Sequence, residues 1–283
     1  MGLRPGIAVG QGGIDAYTGM IGLDVLEPDR LALVMGSSTC QFALAERPLA
    51  NPELWGPFPE AVVPGLQAVE GGQASTGSVV RWLVERFGGG EVARATDLGE
   101  AVYTYLDARA AEVPPGCEGL VVLDYWQGNR TPLRDPLAQG AIWGLTLRHG
   151  FGHMLRGIYE ATALGNRQIL ASLRKSGIEV SRIYACGGGA RSLLWLQIHA
   201  DAAQVPLCLT EVPDAVALGT AICAAVAAGK YSSLREAAGA MVRVARMIEP
   251  DYGKRTLYDS LEDRYRRTYL ALRDLMHESD GQS

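Results

Sequence analysis

The chain has 283 residues, a formal net charge of −5 and no basic block, which excludes a nucleic-acid footprint built from clustered Lys and Arg. Hydrophobic residues make up 48% and charged residues 20%, the balance of a soluble globular protein whose core needs neither disulfides nor a metal to fold. A run of about eighteen apolar residues is absent, so no membrane span is expected.

The length suits one large α/β domain with insertions. Cys40, Cys117, Cys186, Cys208 and Cys223 form no C-x-x-C pair and no zinc-ligand spacing, which reads as reduced thiols in a cytoplasmic protein. No metal site is expected among these residues. The start shows no charged region followed by an apolar one, so no signal peptide is expected. It enters motif-like residues almost at once, as though cut from a longer chain.

Gly12 and Gly13 open onto a short helix ending near 22, with Asp15 where that helix begins. A carboxylate there can accept a proton from a substrate hydroxyl, or it can cap the helix. Residues 30–35 and 39–45 read as strands joined by a tight turn. The tip, Gly36-Ser37-Ser38-Thr39, either aims amides and hydroxyls at phosphate oxygens or is an ordinary turn. Residues 46–69 hold five prolines and read as an irregular loop with a short strand at its end. A helix follows at 72–87, with Val79, Val80, Leu83 and Phe87 on one side, and glycines at 88–90 stop it. At its start, Glu70 and Gln73 offer hydrogen bonds to a polyol or to the helix end itself. A further helix spans 91–111, and a Pro114-Pro115-Gly116 turn closes it.

Residues 120–125 read as a buried strand, 128–136 as a polar loop and 141–147 as another strand. Within the loop, Arg134 and Asp135 read as a structural clamp. A long helix covers 151–175 and ends at Ser176-Gly177. The strand at 182–186 runs into Gly187-Gly188-Gly189-Ala190 and a helix to about 203. Such glycines let a ligand approach the backbone, and a helix N-terminus favours an anion; strand–glycine–helix turns are also common without a ligand. A strand at 206–210, a small-residue helix at 215–228 and helices at 233–247 and 256–277 follow. The Arg/Tyr-rich stretch 263–270 reads as a solvated helix face, and 278–283 as a frayed tail. His149, His153 and His199 are isolated, on helix surfaces or in the core. A hairpin followed by alternating helices and strands indicates an α/β domain with a mixed sheet flanked by helices.

Taken in order, these pieces resemble the C-terminal half of FGGY carbohydrate kinases. Gly140-Ala141-Ile142-Trp143-Gly144-Leu145, seven residues, then His153-Met154-Leu155-Arg156-Gly157-Ile158-Tyr159-Glu160 is similar to that family's second signature. Gly157 departs from the usual Ala or Ser but stays small, so packing there is expected to survive. Leu123-Asp124-Tyr125-Trp126-Gln127-Gly128-Asn129-Arg130-Thr131-Pro132 resembles a ribulokinase segment, as do Glu160–Gly165 and Ala217–Ile222.

The resemblance implies an actin-like, ribonuclease-H-like ATPase domain over 1–283, with the N-terminal sugar-kinase domain absent. Asp15 matches the family's catalytic base and lies against the sugar. Gly36, Ser37, Ser38 and Thr39 match its phosphate-binding hairpin, with Ser37 where Thr is usual. Gly187, Gly188, Gly189 and Ala190 match the loop bordering the adenosine, and Glu70 matches an acid near the sugar. The implied reaction is ATP- and Mg²⁺-dependent phosphorylation of a ketopentose such as ribulose, or of a related polyol. The implied partners are the sugar substrate and an N-terminal domain or subunit, with a homo-oligomer possible. No D-x-G-T/S loop occurs in the chain, so it is expected to be inactive alone. The alternatives are a non-catalytic nucleotide- or sugar-binding module and an inactive fragment.

Overall fold

A computed structural model describes residues 4–278. A helix, α1 (Asp15–Gly22), precedes two strands, β1 (Arg30–Met35) and β2 (Thr39–Ala45). Then come β3 (Trp55–Pro59), β4 (Gln67–Gln73) and three helices, α2 (Gly77–Phe87), α3 (Gly89–Asp97) and α4 (Val102–Ala111). Two short strands, β5 (Val121–Leu123) and β6 (Ala141–Trp143), lead to the long α5 (Phe151–Lys175). The chain continues through β7 (Arg182–Cys186), α6 (Leu193–Ala203), β8 (Leu207–Thr210), α7 (Ala215–Ala227), α8 (Leu234–Met241), β9 (Val244–Ile248) and α9 (Arg255–Glu278).

The main sheet has seven strands in the order β3-β4-β2-β1-β7-β8-β9, and β5 and β6 form a separate pair. β1 is antiparallel to β2 but parallel to β7, so the carboxyl ends of β1 and β7 lie side by side. Covered on both faces, β1 alternates cleanly, as strand geometry requires. Leu31, Leu33 and Met35 join the core under α5 and α6, and Ala32 and Val34 join the one under α1 and α7. The mixed α/β expectation holds.

The second layer depends on two glycines. A Cβ on Gly219 of α7 would meet the Thr18 carbonyl oxygen of α1 at 1.9 Å, and one on Gly22 of α1 would meet the Ala215 oxygen at 1.8 Å. The Ala217–Ile222 motif is therefore a backbone-to-backbone helix crossing, and that crossing sets where α1, and Asp15 on its first turn, can lie.

Several elements differ from expectation. The proline-rich loop contains β3, and 67–73 is a full strand, so the following helix begins at Gly77. The single helix at 91–111 is two, broken at Leu98-Gly99 with Gly99 at φ +68°. β6 ends at Trp143, before Gly144 at φ +88°. The helix read at 233–247 ends at Met241 and gives way to the edge strand β9. The stretch 263–270 is not merely solvated: Tyr265 and Tyr269 are buried, and their hydroxyls donate to Asp124 at 2.6 Å and Asp135 at 2.7 Å. At Gly157 an added Cβ would meet Val122 Cγ2 at 2.8 Å, so here even alanine is too large without a shift. The tail at 279–283 lies outside the described residues.

Candidate active site

The hairpin tip between β1 and β2 is fixed from below and open above. Gly36 N donates to the Ser38 carbonyl at 2.9 Å, and the Ser37 carbonyl accepts from Thr76 N and Ser78 N, both at 3.0 Å. The first turn of α2 is thereby tied to the tip. Gly36 and Ser37 are exposed and Ser38 half-buried, and the amides of Ser37 and Ser38 take no partner among the described residues. Successive free amides on a turn make an anion-binding concavity. Thr39 differs from its neighbours: it is buried, with its hydroxyl 2.8 Å from that of Thr76. It props the tip from inside, and its hydroxyl does not reach the surface where a phosphate would lie.

The second glycine turn stands beside the hairpin. Gly187, at φ +95°, lies where a Cβ would meet the Met35 carbonyl oxygen at 2.5 Å, so only glycine fits both the torsion and the approach. Gly187 and Gly188 are exposed and Gly189 and Ala190 half-buried. A short 3₁₀ turn, Gly189–Arg191, then reaches α6, capped by the Ser192 hydroxyl accepting from Trp195 N at 3.1 Å. Both turns leave the carboxyl ends of adjacent parallel strands, the position where open α/β sheets take ligands.

Asp15 is exposed on the first turn of α1. Ile14, not Asp15, holds the N-cap position, and the hydrogen bond to the carboxylate comes from the neighbouring Ala16 amide, 2.8 Å from Oδ1. Its charge, with those of Glu70 and Arg130, acts on the half-buried thiol of Cys40, one residue beyond Thr39. Burial raises that thiol's pKa, Arg130 opposes the rise, and Glu70 and Asp15 add to it. Asp15, Glu70 and the base of the hairpin therefore share one end of the sheet.

Glu70 sits mid-strand on β4, not at a helix start. Cross-strand pairing sets Phe42 and Trp55 beside it, and sets Cys40 opposite Gly72. Tyr17 of α1 donates to Glu70 Oε1 at 2.7 Å. Burial and that bond hold the phenol proton on well above its ordinary pKa, so Tyr17 acts here as a donor. Gln73 must leave the sugar-binding set. It is buried, its amide nitrogen donates to Asp124 at 3.1 Å and to the Thr162 carbonyl at 2.9 Å, and its oxygen accepts from Gln41 at 2.9 Å. Strand alternation turns it to the face opposite Glu70's neighbour Gly72.

The polar loop after β5 supplies what sequence reasoning missed. Its Arg134–Asp135 pair does not exist as a pair. Arg134 lies over the Trp55 ring, 4.9 Å from its centroid, while Asp135 receives the Tyr269 hydroxyl at 2.7 Å and lies 2.8 Å from His277 Nε2. Arg130, read only as part of a motif, stands 3.7 Å from Glu70 and 5.5 Å from the Trp55 centroid. Tyr17, Trp55 and Arg130 are thus additions to the candidate site. The signal for Arg130 is the Gly128–Pro132 segment, whereas Trp55 lies hidden among prolines.

No group of three or more His, Cys, Asp or Glu side chains able to hold a metal occurs among the described residues. The donor set here fits a Mg²⁺ ion that arrives held mainly by phosphates and water, as is usual for that ion. The exposed amides of the tip fit an anionic phosphate chain. No described helix is long and apolar enough to cross a membrane.

Comparison with known proteins bears on the family and the fold. Residues 31–228 match the model of the FGGY family of carbohydrate kinases, C-terminal domain. A ribulokinase of Shouchella clausii is 33% identical over 276 residues, which are 95% of this chain and 49% of that protein. An FGGY carbohydrate kinase domain-containing protein of Xenopus laevis is 33% identical over 92% of this chain and 52% of its own length. Among solved structures, xylulose kinase from Rhodospirillum rubrum superposes with a TM-score of 0.84 at 34% identity, over 98% of this chain and 54% of that one. Plasmodium falciparum glycerol kinase, solved with ADP, shares the fold at a TM-score of 0.74 and 18% identity, over 90% of this chain and 50% of that one. The chain spans about half the length of the curated relatives it matches. Matched over most of its length by that model, with the actin-like, ribonuclease-H-like ATPase architecture of the sugar kinases around it, the chain belongs to the FGGY family of carbohydrate kinases and corresponds to the C-terminal domain.

Proposed function

We propose that the chain is the nucleotide-binding half of an ATP-dependent kinase that phosphorylates a primary hydroxyl of a ketopentose such as ribulose, or of a related polyol. An N-terminal domain or subunit supplies the remaining sugar contacts. The observation that carries this reading is the shared end of the sheet. Asp15 and Glu70 both act on Cys40 next to the hairpin, and the Gly187 turn closes on Met35 at the hairpin's base.

ATP with Mg²⁺, when bound, supplies the transferable phosphoryl group and neutralises its charge. The Ser37 and Ser38 amides donate to phosphate oxygens, with Gly36 keeping the turn tight. Gly187 to Ala190 border the adenosine, whose approach the missing side chains allow. Glu70 accepts from a sugar hydroxyl. Asp15 orients the attacking primary hydroxyl and takes its proton as the oxygen–phosphorus bond forms, and the bond from phosphorus to the departing ADP oxygen breaks. Positioning carries most of the rate, so the missing sugar contacts matter as much as the base.

The test is sugar-dependent ADP release. The chain alone is expected to show little or none. Mixing with a matching N-terminal half restores it, and Asp15→Asn then lowers turnover by about 10²–10⁴-fold while nucleotide binding persists. Full turnover in the Asp15→Asn protein would remove Asp15 as the base. Absence of nucleotide binding in the unmodified chain would remove the kinase reading.

A further inference from the structure

Arg130 is held in a way that an ordinary surface arginine is not. Thr131, its neighbour, clamps the loop onto β4 with two hydrogen bonds: Gly72 N donates to Thr131 Oγ1 at 2.6 Å, and Thr131 Oγ1 donates back to the Gly72 carbonyl at 2.7 Å. β3 pairs with β4 no further than Trp55 opposite Glu70, so Thr131 takes over the edge that β3 leaves. The arginine stem then crosses Gly72 itself: a Cβ there would meet Arg130 Cδ at 3.1 Å and Nε at 3.3 Å. The adjacent Gly71 faces the other way, where a Cβ would meet Ile169 Cγ2 of α5 at 2.4 Å. The two glycines thus clear two different faces, one for the core helix and one for this arginine. Trp55 flanks the guanidinium at 5.5 Å.

Ordering an arginine costs side-chain entropy, and here the return comes from the Trp55 ring and from the Cys40 thiol, whose pKa Arg130 lowers, and not from a close ion pair. The ion pair to Glu70 is 3.7 Å long, beyond hydrogen-bond range, and the Arg130 side chain is 41% exposed. Glu70 keeps Oε2 on that side while Tyr17 occupies Oε1. Between them stand a fork of donors and a carboxylate oxygen that do not satisfy each other. A guanidinium has no acceptor and a carboxylate no donor. Two adjacent oxygens on a carbon chain, one accepting and one donating a proton, complete both. That is the pattern of a carbohydrate's neighbouring hydroxyls, or of a hydroxyl beside a keto oxygen.

We infer that Arg130 is a sugar-contacting specificity residue, which donates to one oxygen of the substrate while Glu70 accepts from the adjacent hydroxyl. The inference rests on the kinase reading and adds to it a residue, a chemical role and a reason for the Gly71-Gly72 pair. It also makes Thr131 and Trp55 positioning residues that act through Arg130.

The experiment is an NMR titration of the full chain, with D- and L-ribulose in separate arms and ATP–Mg²⁺ as an internal control. With one enantiomer or both, sugar is expected to move the Arg130 Nε–H and Gly72 amide resonances, while nucleotide moves those of Ser37 and Ser38. Arg130→Met is expected to weaken sugar binding roughly tenfold, the worth of one hydrogen bond to a charged donor, and to leave the nucleotide response unchanged. Arg130→Lys, which keeps the charge but loses the fork, falls between them. Sugar binding undiminished in Arg130→Met overturns the inference, as does sugar binding that leaves the Arg130 resonance in place. So does an Arg130→Met protein that loses sugar and nucleotide responses together, since that marks a structural role. If neither sugar nor nucleotide moves any resonance in the unmodified chain, the kinase reading fails first and this inference with it.

Discussion

Asp124 is fully enclosed, and burial pushes its carboxyl up to about 6 even though Tyr265 and Gln73 donate to it. In the unfolded chain the same group titrates near 3.8. Below that value both states hold the proton. Between about pH 4 and 6 the unfolded chain has released it while the folded chain keeps it, so stability falls as pH rises through this window. The loss is on the order of 3 kcal/mol. Other carboxylates titrate too, so the quantity to measure is the urea-unfolding stability of the unmodified protein minus that of Asp124→Asn. That difference is expected to shrink by about 2–2.5 kcal/mol between pH 4 and pH 7; a flat difference would show that the carboxyl titrates normally. The same network shows why Gln73 is harder to read from sequence than the two candidate turns. Gly36 to Ser38 and Gly187 to Gly189 announce themselves because turn chemistry is local. Gln73 misled because a polar residue beside glycines looks available. Its burial depends on Asp124, Thr162 and Gln41, each more than thirty residues away in sequence.

At the scale of elements, strong local signals survived folding and weak ones did not. The hairpin strands, α5, β7 and α7 fall where patterning and punctuation set them. β4 carries Glu-Gly-Gly-Gln, which has little intrinsic strand preference. It is a strand because β2 and β3 pair with it on either side and because its two glycines admit Ile169 and Arg130. β9 is an edge strand whose residues are mostly exposed, so no burial pattern marked it. The α1–α7 crossing gives a prediction in which two effects oppose. Alanine is preferred to glycine inside a helix by about 0.8–1.0 kcal/mol, yet at Gly219 the added Cβ would lie 1.9 Å from a backbone oxygen. Overpacking costs about 1–3 kcal/mol or more, and a backbone atom cannot rotate away, so the clash wins. Gly219→Ala is expected to be destabilised by at least about 1 kcal/mol. Gly239→Ala on α8, where nothing lies within 4 Å of the added atom, is expected to gain about 0.5–1 kcal/mol. Equal and opposite-to-expected shifts in the two melting curves would refute the packing account of the motif.

For the whole molecule, the proposed division between nucleotide binding and sugar binding is itself measurable. The two turns proposed for nucleotide lie together at the ends of β1 and β7 in this chain. In the proposed reading this chain meets the sugar around Asp15, Glu70 and, as inferred, Arg130, and an N-terminal domain or subunit supplies the remaining contacts. Binding to the folded state stabilises by RT ln(1 + [L]/Kd), about 2.7 kcal/mol at a hundred times Kd. At equal concentration, ATP–Mg²⁺ is therefore expected to raise the melting temperature of the isolated chain more than ribulose does. Gly187→Ala separates this from a general salt effect. Its side chain would be forced into a left-handed torsion and to within 2.5 Å of the Met35 oxygen, which opens the gap between the glycine turn and the hairpin. The variant is expected to melt lower and to lose most of the nucleotide-dependent rise. If Gly187→Ala keeps the full rise, the nucleotide sits elsewhere on the molecule; if ribulose outdoes ATP–Mg²⁺, the assignment of this half to the nucleotide is reversed.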